Sequence, residues 1–175
     1  MKRRSLALAA LFALVSSGCA MSGNTGDRTT ASAQLQDARG AIKARATAEQ
    51  AGDAVRIRLD ASGMPAGTYA AHVHTTGACA APDFTSAGPH WNPTGAQHGK
   101  DNPAGMHKGD LPNLEVRTDG RGRLEYLIEG ATLAGGSAPL LDADGAAVVV
   151  HAQLDDHRTD PSGNAGARIA CGVLG

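Results

Sequence analysis

The residues that could do chemistry in this chain are histidines, and their spacing narrows what that chemistry is. His72-Val73-His74 lies near the end of a segment of strand character, so its imidazoles project from one face and can reach a common metal. On its own the pair also fits two polar residues on a solvent face. The next stretch says more: His90, His98, His107 and Asp110 fall within 21 residues, on a backbone punctuated by Pro93, Gly95, Gly99, Pro103, Gly105 and Gly109. Three imidazoles and one carboxylate form the ligand set of a closed tetrahedral zinc site, and zinc would staple a loop that has no core of its own. A solvated histidine-rich loop is the competing reading. His151 closes the apolar run Val148-Val149-Val150, where a lone histidine is more often a core-edge residue than a ligand.

These residues need a scaffold, and the pattern around them is one of short strands. Val55, Ile57 and Leu59 alternate with Arg56, Arg58 and Asp60, and Leu124, Tyr126 and Ile128 alternate with Arg123, Glu125 and Leu127, as in half-buried strands. Residues 34–38, 42–49, 68–75, 114–118, 147–151 and 168–173 are bounded by Gly, Asp, Asn or Pro turns, giving about eight strands in all. Asp119-Gly120 signals a hairpin. Two stretches, residues 76–113 and 152–167, break the rhythm and are predicted as long functional loops.

Composition bounds the rest. The chain has 175 residues, of which 42% are hydrophobic, 3% aromatic and 19% charged, with a formal net charge of −1. That fits one compact domain, over residues 32–175, and excludes a nucleic-acid binder recruited by bulk charge. Lys2, Arg3 and Arg4 precede an apolar run from Leu6 to Val15 and then Ser16-Ser17-Gly18-Cys19, the order of an export signal over residues 1–18. The run is about half of the ~20 residues that span a bilayer. Ser17-Gly18-Cys19 resembles a bacterial lipobox, which makes Cys19 a candidate lipid anchor to the membrane; ordinary cleavage nearby would discard it. Loss of residues 1–18 leaves 13 of the 16 basic residues against 17 acidic ones. Residues 19–31 read as a flexible tether, and the periplasm or cell envelope is the expected location.

Five segments together resemble the copper/zinc superoxide dismutase family: Ala70-Ala71-His72-Val73-His74, Ser86-Ala87-Gly88-Pro89-His90-Trp91-Asn92-Pro93, His107-Lys108-Gly109-Asp110-Leu111-Pro112-Asn113-Leu114, Val149-Val150-His151, and the stretch from Gly163 to Val173. The resemblance implies an all-β, eight-stranded Greek-key barrel or flattened sandwich that carries its metals outside, under the two long loops. It implies copper on His72, His74, His90 and His151, and zinc on His90, His98, His107 and Asp110, with His90 bridging the two. These donor sets suit Cu(II) and zinc respectively.

Asp155 matches the family's carboxylate that orients one histidine of each metal, with Asp156 as its rival. Cys79 and Cys171 match the internal disulfide, and Arg168 the active-site cation beside copper. The implied activity converts superoxide to oxygen and hydrogen peroxide by cycling copper. A non-catalytic exported copper- or zinc-binding protein on the same fold is the alternative. The resemblance leaves monomer or homodimer open. Lys100 and Lys108 are further candidates for local positive potential. Thr75-Thr76, Ala71 and Trp91 depart from the family's usual residues without removing a ligand, and His157 is left without a role.

Overall fold

A computed structural model describes residues 29–175; the expected signal, Cys19 and most of the tether lie outside them. The strands are β1 (Thr30–Gln36), β2 (Ile42–Ala51), β3 (Ala54–Ser62), β4 (Gly67–Tyr69), β5 (Ala71–His74), β6 (Leu114–Val116), β7 (Arg121–Glu129), β8 (Thr132–Ala134), β9 (Pro139–Leu141), β10 (Ala147–His151) and β11 (Arg168–Val173). The only helical turn named among the described residues is a 3-10 turn over Thr85–Ala87. Nine strands form one antiparallel sheet in the order β4-β6-β7-β3-β2-β1-β11-β10-β5.

All eight expected segments are present, with one instructive change. The segment 68–75 is divided at Ala70 into β4, which pairs with β6, and β5, which pairs with β10. Its halves therefore sit at opposite edges of the sheet, and Ala70 joins them, so the sheet curls into a nearly closed barrel without long open edges. Ala70 N–H donates to Gln153 at 2.7 Å, and its carbonyl accepts from His151 N–H at 2.9 Å.

Two boundaries and one strand pair differ from what the sequence predicts. β1 begins at Thr30, so Thr30 and Ala31 belong to the barrel rather than to the tether; Ala31 is buried, and Thr30 is in register with Glu49. β1 ends at Gln36, because Asp37 turns the chain by accepting the N–H groups of Arg39 and Ala41. The short parallel pair β8 and β9 had no alternation long enough to read. The Asp119-Gly120 hairpin between β6 and β7 is as expected, with Gly120 at φ 75°, a conformation that glycine adopts at no steric cost.

The barrel interior is filled by the inward residues of alternating strands, among them Leu35, Val55, Ile57, Leu59, Leu114, Val148 and Val150. Each such side chain contributes about 1.5–3 kcal/mol when fully buried. β5 and β10 are buried on both faces. Val73, Val148 and Val150 belong to the barrel core, while Ala147 and Val149 pack with Phe84, Ala87 and Cys171 under the first long loop. A strand covered on both sides has no need to alternate, which is why Val148-Val149-Val150 is continuous.

Candidate metal centre

β5 sends Ala71 and Val73 into the barrel, so His72 and His74 point outward, yet both are fully buried. The first long loop covers them. Its backbone runs along β5: Val73 N–H donates to Gly109 at 2.9 Å, Trp91 N–H to Val73 at 2.8 Å, and Gly109 N–H to Trp91 at 2.8 Å. Gly109 fits only because it lacks a side chain, since a Cβ there would strike the Val73 carbonyl and the Trp91 backbone. The loop thus brings His90 opposite His74, and Asp110 opposite His72. His151 arrives from the end of β10, one strand away.

His72, His74, His90 and His151 form one group whose ligand atoms lie within 4.8 Å of one another, and all four are buried. His72, His90, His98 and Asp110 form a second group by the same measure. The second differs from the expected zinc set in containing His72 where His107 was expected. His107 nevertheless converges on the same oxygen: Asp110 Oδ1 lies 2.9 Å from His90 Nδ1, 3.0 Å from His98 Nδ1 and 3.2 Å from His107 Nδ1. Ligands around a tetrahedral zinc, at about 2.0–2.1 Å from the ion, are themselves about 3.3 Å apart. Asp110 Oδ2 is held separately by the N–H groups of Gly99 and His107, which turns Oδ1 toward the three rings. His90 belongs to both groups, and with Nδ1 beside Asp110 it has Nε2 left for the other histidines.

Asp155 sets the tautomers. Its fully buried carboxylate accepts from His72 Nε2 at 2.8 Å and from His98 Nε2 at 2.9 Å, so when these rings are neutral each carries its proton on Nε2 and a lone pair on Nδ1. His74 Nδ1 donates to the Gly88 carbonyl at 2.8 Å, and His151 Nδ1 to the Gly166 carbonyl at 3.3 Å, leaving Nε2 in each case. Three of the atoms freed in this way, His72 Nδ1, His74 Nε2 and His151 Nε2, are buried and have no protein hydrogen-bond partner, and the fourth, His98 Nδ1, is buried against Asp110 Oδ1 at 3.0 Å. Buried nitrogens without partners are costly in a folded protein, and metal ions are the partners that this donor set fits.

The rival carboxylate Asp156 is half-buried and spent on its own turn, where it accepts from Thr159 and Asn164. Sequence reasoning missed three supports of Asp155. Asn113 clamps its backbone, accepting Asp155 N–H at 2.8 Å and donating to its carbonyl at 3.0 Å. His157 N–H donates to Asp155 Oδ1 at 2.7 Å, which gives His157 a place in the loop. Gly163 lies so close that any Cβ would collide with the Asp155 carboxylate. The Asn and Gly were visible within the quoted motifs, but no spacing rule connects them to an aspartate in another loop.

Burial holds the imidazoles of the four-histidine group in the neutral form that metal binding requires. It pushes His72 down to about 3, His74 to about 2 and His151 to about 4, and it lowers His90 as well. His98 is different. Burial also works to lower it, but the carboxylates of Asp110 and Asp155 on its two sides outweigh that and hold it up at about 9. Burial would raise Asp110, yet hydrogen bonds from His107, His90 and His98 keep it well below the carboxylate range.

Arg168 opens β11 and reaches back to the first loop, where Nη1 donates to Phe84 and Nη2 to Gly88, both at 2.7 Å. The Gly88 carbonyl therefore ties Arg168 to His74. Arg168 lines a cleft of about 470 Å³ with Asp83 and with Gly166, the acceptor of His151 Nδ1, so a cationic side chain stands beside the four-histidine group. The Cys79–Cys171 disulfide, three residues along β11, fastens the same loop. Of the two lysines considered for added positive potential, Lys108 is engaged with the Glu129 carbonyl.

The copper/zinc superoxide dismutase (SODC) family model matches residues 38–174. The chain is 45% identical over 131 residues to the superoxide dismutase [Cu-Zn] of Caulobacter vibrioides, covering 73% of this chain and 75% of that one. It is 40% identical to superoxide dismutase [Cu-Zn] 2 of Aquifex aeolicus, covering 82% and 85%. The crystal structure of a SOD-like protein from Bacillus subtilis superimposes with a TM-score of 0.77 at 38% identity, over 82% of this chain and 97% of that one. On sequence, fold and the convergence of its histidines alike, the chain belongs to the copper/zinc superoxide dismutase family.

Proposed function

We propose that the chain is an exported superoxide dismutase, in which His72, His74, His90 and His151 hold copper and His90, His98, His107 and Asp110 hold zinc, with His90 shared. The observation that carries this reading is the set of buried imidazole nitrogens aimed, by Asp155, Gly88 and Gly166, into two adjoining groups, those of His72, His74 and His151 without a protein partner and that of His98 facing Asp110. When bound, copper supplies one-electron redox chemistry and zinc fixes the Asp110 side of the site. The overall conversion takes two superoxide anions and two protons to one oxygen and one hydrogen peroxide.

The protein's part is to attract, orient and protonate. Arg168 presents a permanent charge whose guanidinium is fixed by two carbonyls, so it can draw a small anion into the cleft and orient it without reorganising. The chain's negative balance gives such steering no help, so it has to be local. His90 Nε2, whenever it is not given to copper, is the atom at which a proton can be held close to the bound anion, because Nδ1 is committed to the Asp110 side. The Cys79–Cys171 disulfide supports a location outside the cytosol, in keeping with the leader and with Cys19 as a membrane anchor.

The Bacillus subtilis relative is described as superoxide dismutase-like, which keeps a metal-binding protein without turnover as the second reading. The test is reconstitution of the oxidised protein with copper and zinc, followed by superoxide decay measured beside metal content. Rapid decay proportional to bound copper is expected. Stoichiometric copper with decay no faster than the protein-free solution would assign the chain to the second reading.

A further inference from the structure

The outer face of β2, β3 and β7 supplies none of the proposed metal ligands, yet its charges are unevenly spent. Toward one end Arg56 and Arg58 are balanced by Glu49 and Glu125, at 2.9–3.4 Å. Toward the other, Arg45, Asp60 and Arg123 stand in one cross-strand row, and Arg121 and Arg117 come in from the β6–β7 hairpin. These four arginines border a groove of about 500 Å³ together with Asp60 and Ser62.

Only two carboxylates answer them. Asp60 takes Arg123 through Nε at 2.5 Å, and Asp119 takes Arg117 at 3.1 Å. Among the described residues no carboxylate pairs with the side chain of Arg45 or of Arg121, and the two Nη atoms of Arg123 have no protein acceptor. Ala61 and Gly122 add little bulk, so the space between the guanidinium groups is open.

We propose that this groove is a binding site for an oxyanion of the phosphate class. Unpaired like charges converging on one open space repel, and a phosphate oxyanion between them relieves that repulsion while accepting several hydrogen bonds at once. Guanidinium forks match tetrahedral oxyanions in a bidentate way that a spherical monovalent anion cannot use, and the Ser62 hydroxyl adds a donor suited to a phosphoryl oxygen. Being arginines, the cations keep their charge at any physiological pH. The phosphate can be free in solution or carried on a lipid headgroup.

The test uses the fully metal-loaded protein with copper reduced, which is diamagnetic. Inorganic phosphate and pyrophosphate are titrated in at low salt while amide chemical shifts are followed, and flotation is measured with phosphatidylglycerol and phosphatidylcholine vesicles. Saturable shifts concentrated at Ser62, Arg121 and Gly122 are expected. The double variant Arg45→Gln, Arg121→Gln should weaken that binding at least tenfold without changing copper or zinc content. Phosphate binding without flotation identifies a dissolved ligand. Flotation on phosphatidylglycerol alone, lost in the double variant, identifies the lipid headgroup. The proposal fails if neither probe binds saturably, or if binding is undiminished in the double variant, which would place the anion elsewhere, for example at Arg168.

Discussion

Asp155 carries more of the centre than any single histidine, because it fixes one ring of each metal set at once. Replacing it with Ala frees both rings to rotate and to change tautomer, and losses of this kind cost about 10–100-fold in metal affinity. Asp155→Ala should therefore lose both copper and zinc to a competing chelator at that order of excess, while Asp156→Ala leaves both retained; equal retention in the two variants would remove Asp155 from its role. In the proposed function Arg168 acts on the anion instead. Arg168→Lys keeps a charge without the two-carbonyl clamp, and Arg168→Glu reverses it. The expected order of superoxide rate is wild type, Lys, then Glu, with added salt slowing the wild type; a rate independent of salt would remove the steering argument.

At this scale much was legible in the sequence. Six of the seven proposed ligands, Arg168 and Cys171 stand in short motifs whose spacing survives in one dimension, while His98, Asp155 and Cys79 lie outside those motifs and were reached through the family resemblance. What was not legible were contacts across loops, such as Asn113 and Gly163 with Asp155, and the approach of His72 to the Asp110 group. Those depend on how loops lie over β5.

The elements explain why loops that make little core of their own are ordered. Residues 76–113 are fixed along β5 by backbone hydrogen bonds, at Asp110 by three imidazoles, and at β11 by the disulfide and by Arg168. The disulfide joins cysteines 92 residues apart, and closing a loop of that size is worth about 4–5 kcal/mol in the chain-entropy view. Cys79→Ser should lower the denaturation free energy of the metal-free protein by about that amount. Its Arg168 also loses a nearby anchor, so superoxide turnover should fall even where copper is retained. A drop below about 1 kcal/mol would mean that the loop is held by its hydrogen bonds alone. The strand pattern showed that a barrel was needed but not how it closes: Ala70 divides one apparent strand, and nothing in Tyr69-Ala70-Ala71 marks the break, because both halves are extended and differ only in their partners.

For the whole molecule, the centre sets how stability responds to pH when metals are removed. In the unfolded chain a histidine titrates near 6.5. In the fold, His72, His74 and His151 stay neutral down to about 3, 2 and 4, and His90 is lowered too. Below pH 6.5 the unfolded state therefore takes up protons that the folded state refuses, and stability falls with falling pH. His98 has the opposite sign. With its folded value raised to about 9, it contributes stability that is complete below 6.5 and is lost as pH rises through 9. Four groups on the acid side against one on the alkaline side predict an asymmetric profile for the metal-free protein. Its urea midpoint should be highest near pH 6.5, fall steeply toward pH 4 and decline gently toward pH 9. Loading with zinc and copper replaces the His98 proton at Nδ1, so the alkaline decline should vanish, while acid should now act by expelling the metals. A metal-free midpoint that climbs steadily between pH 6.5 and 9 would show that His98 is not held charged between Asp110 and Asp155.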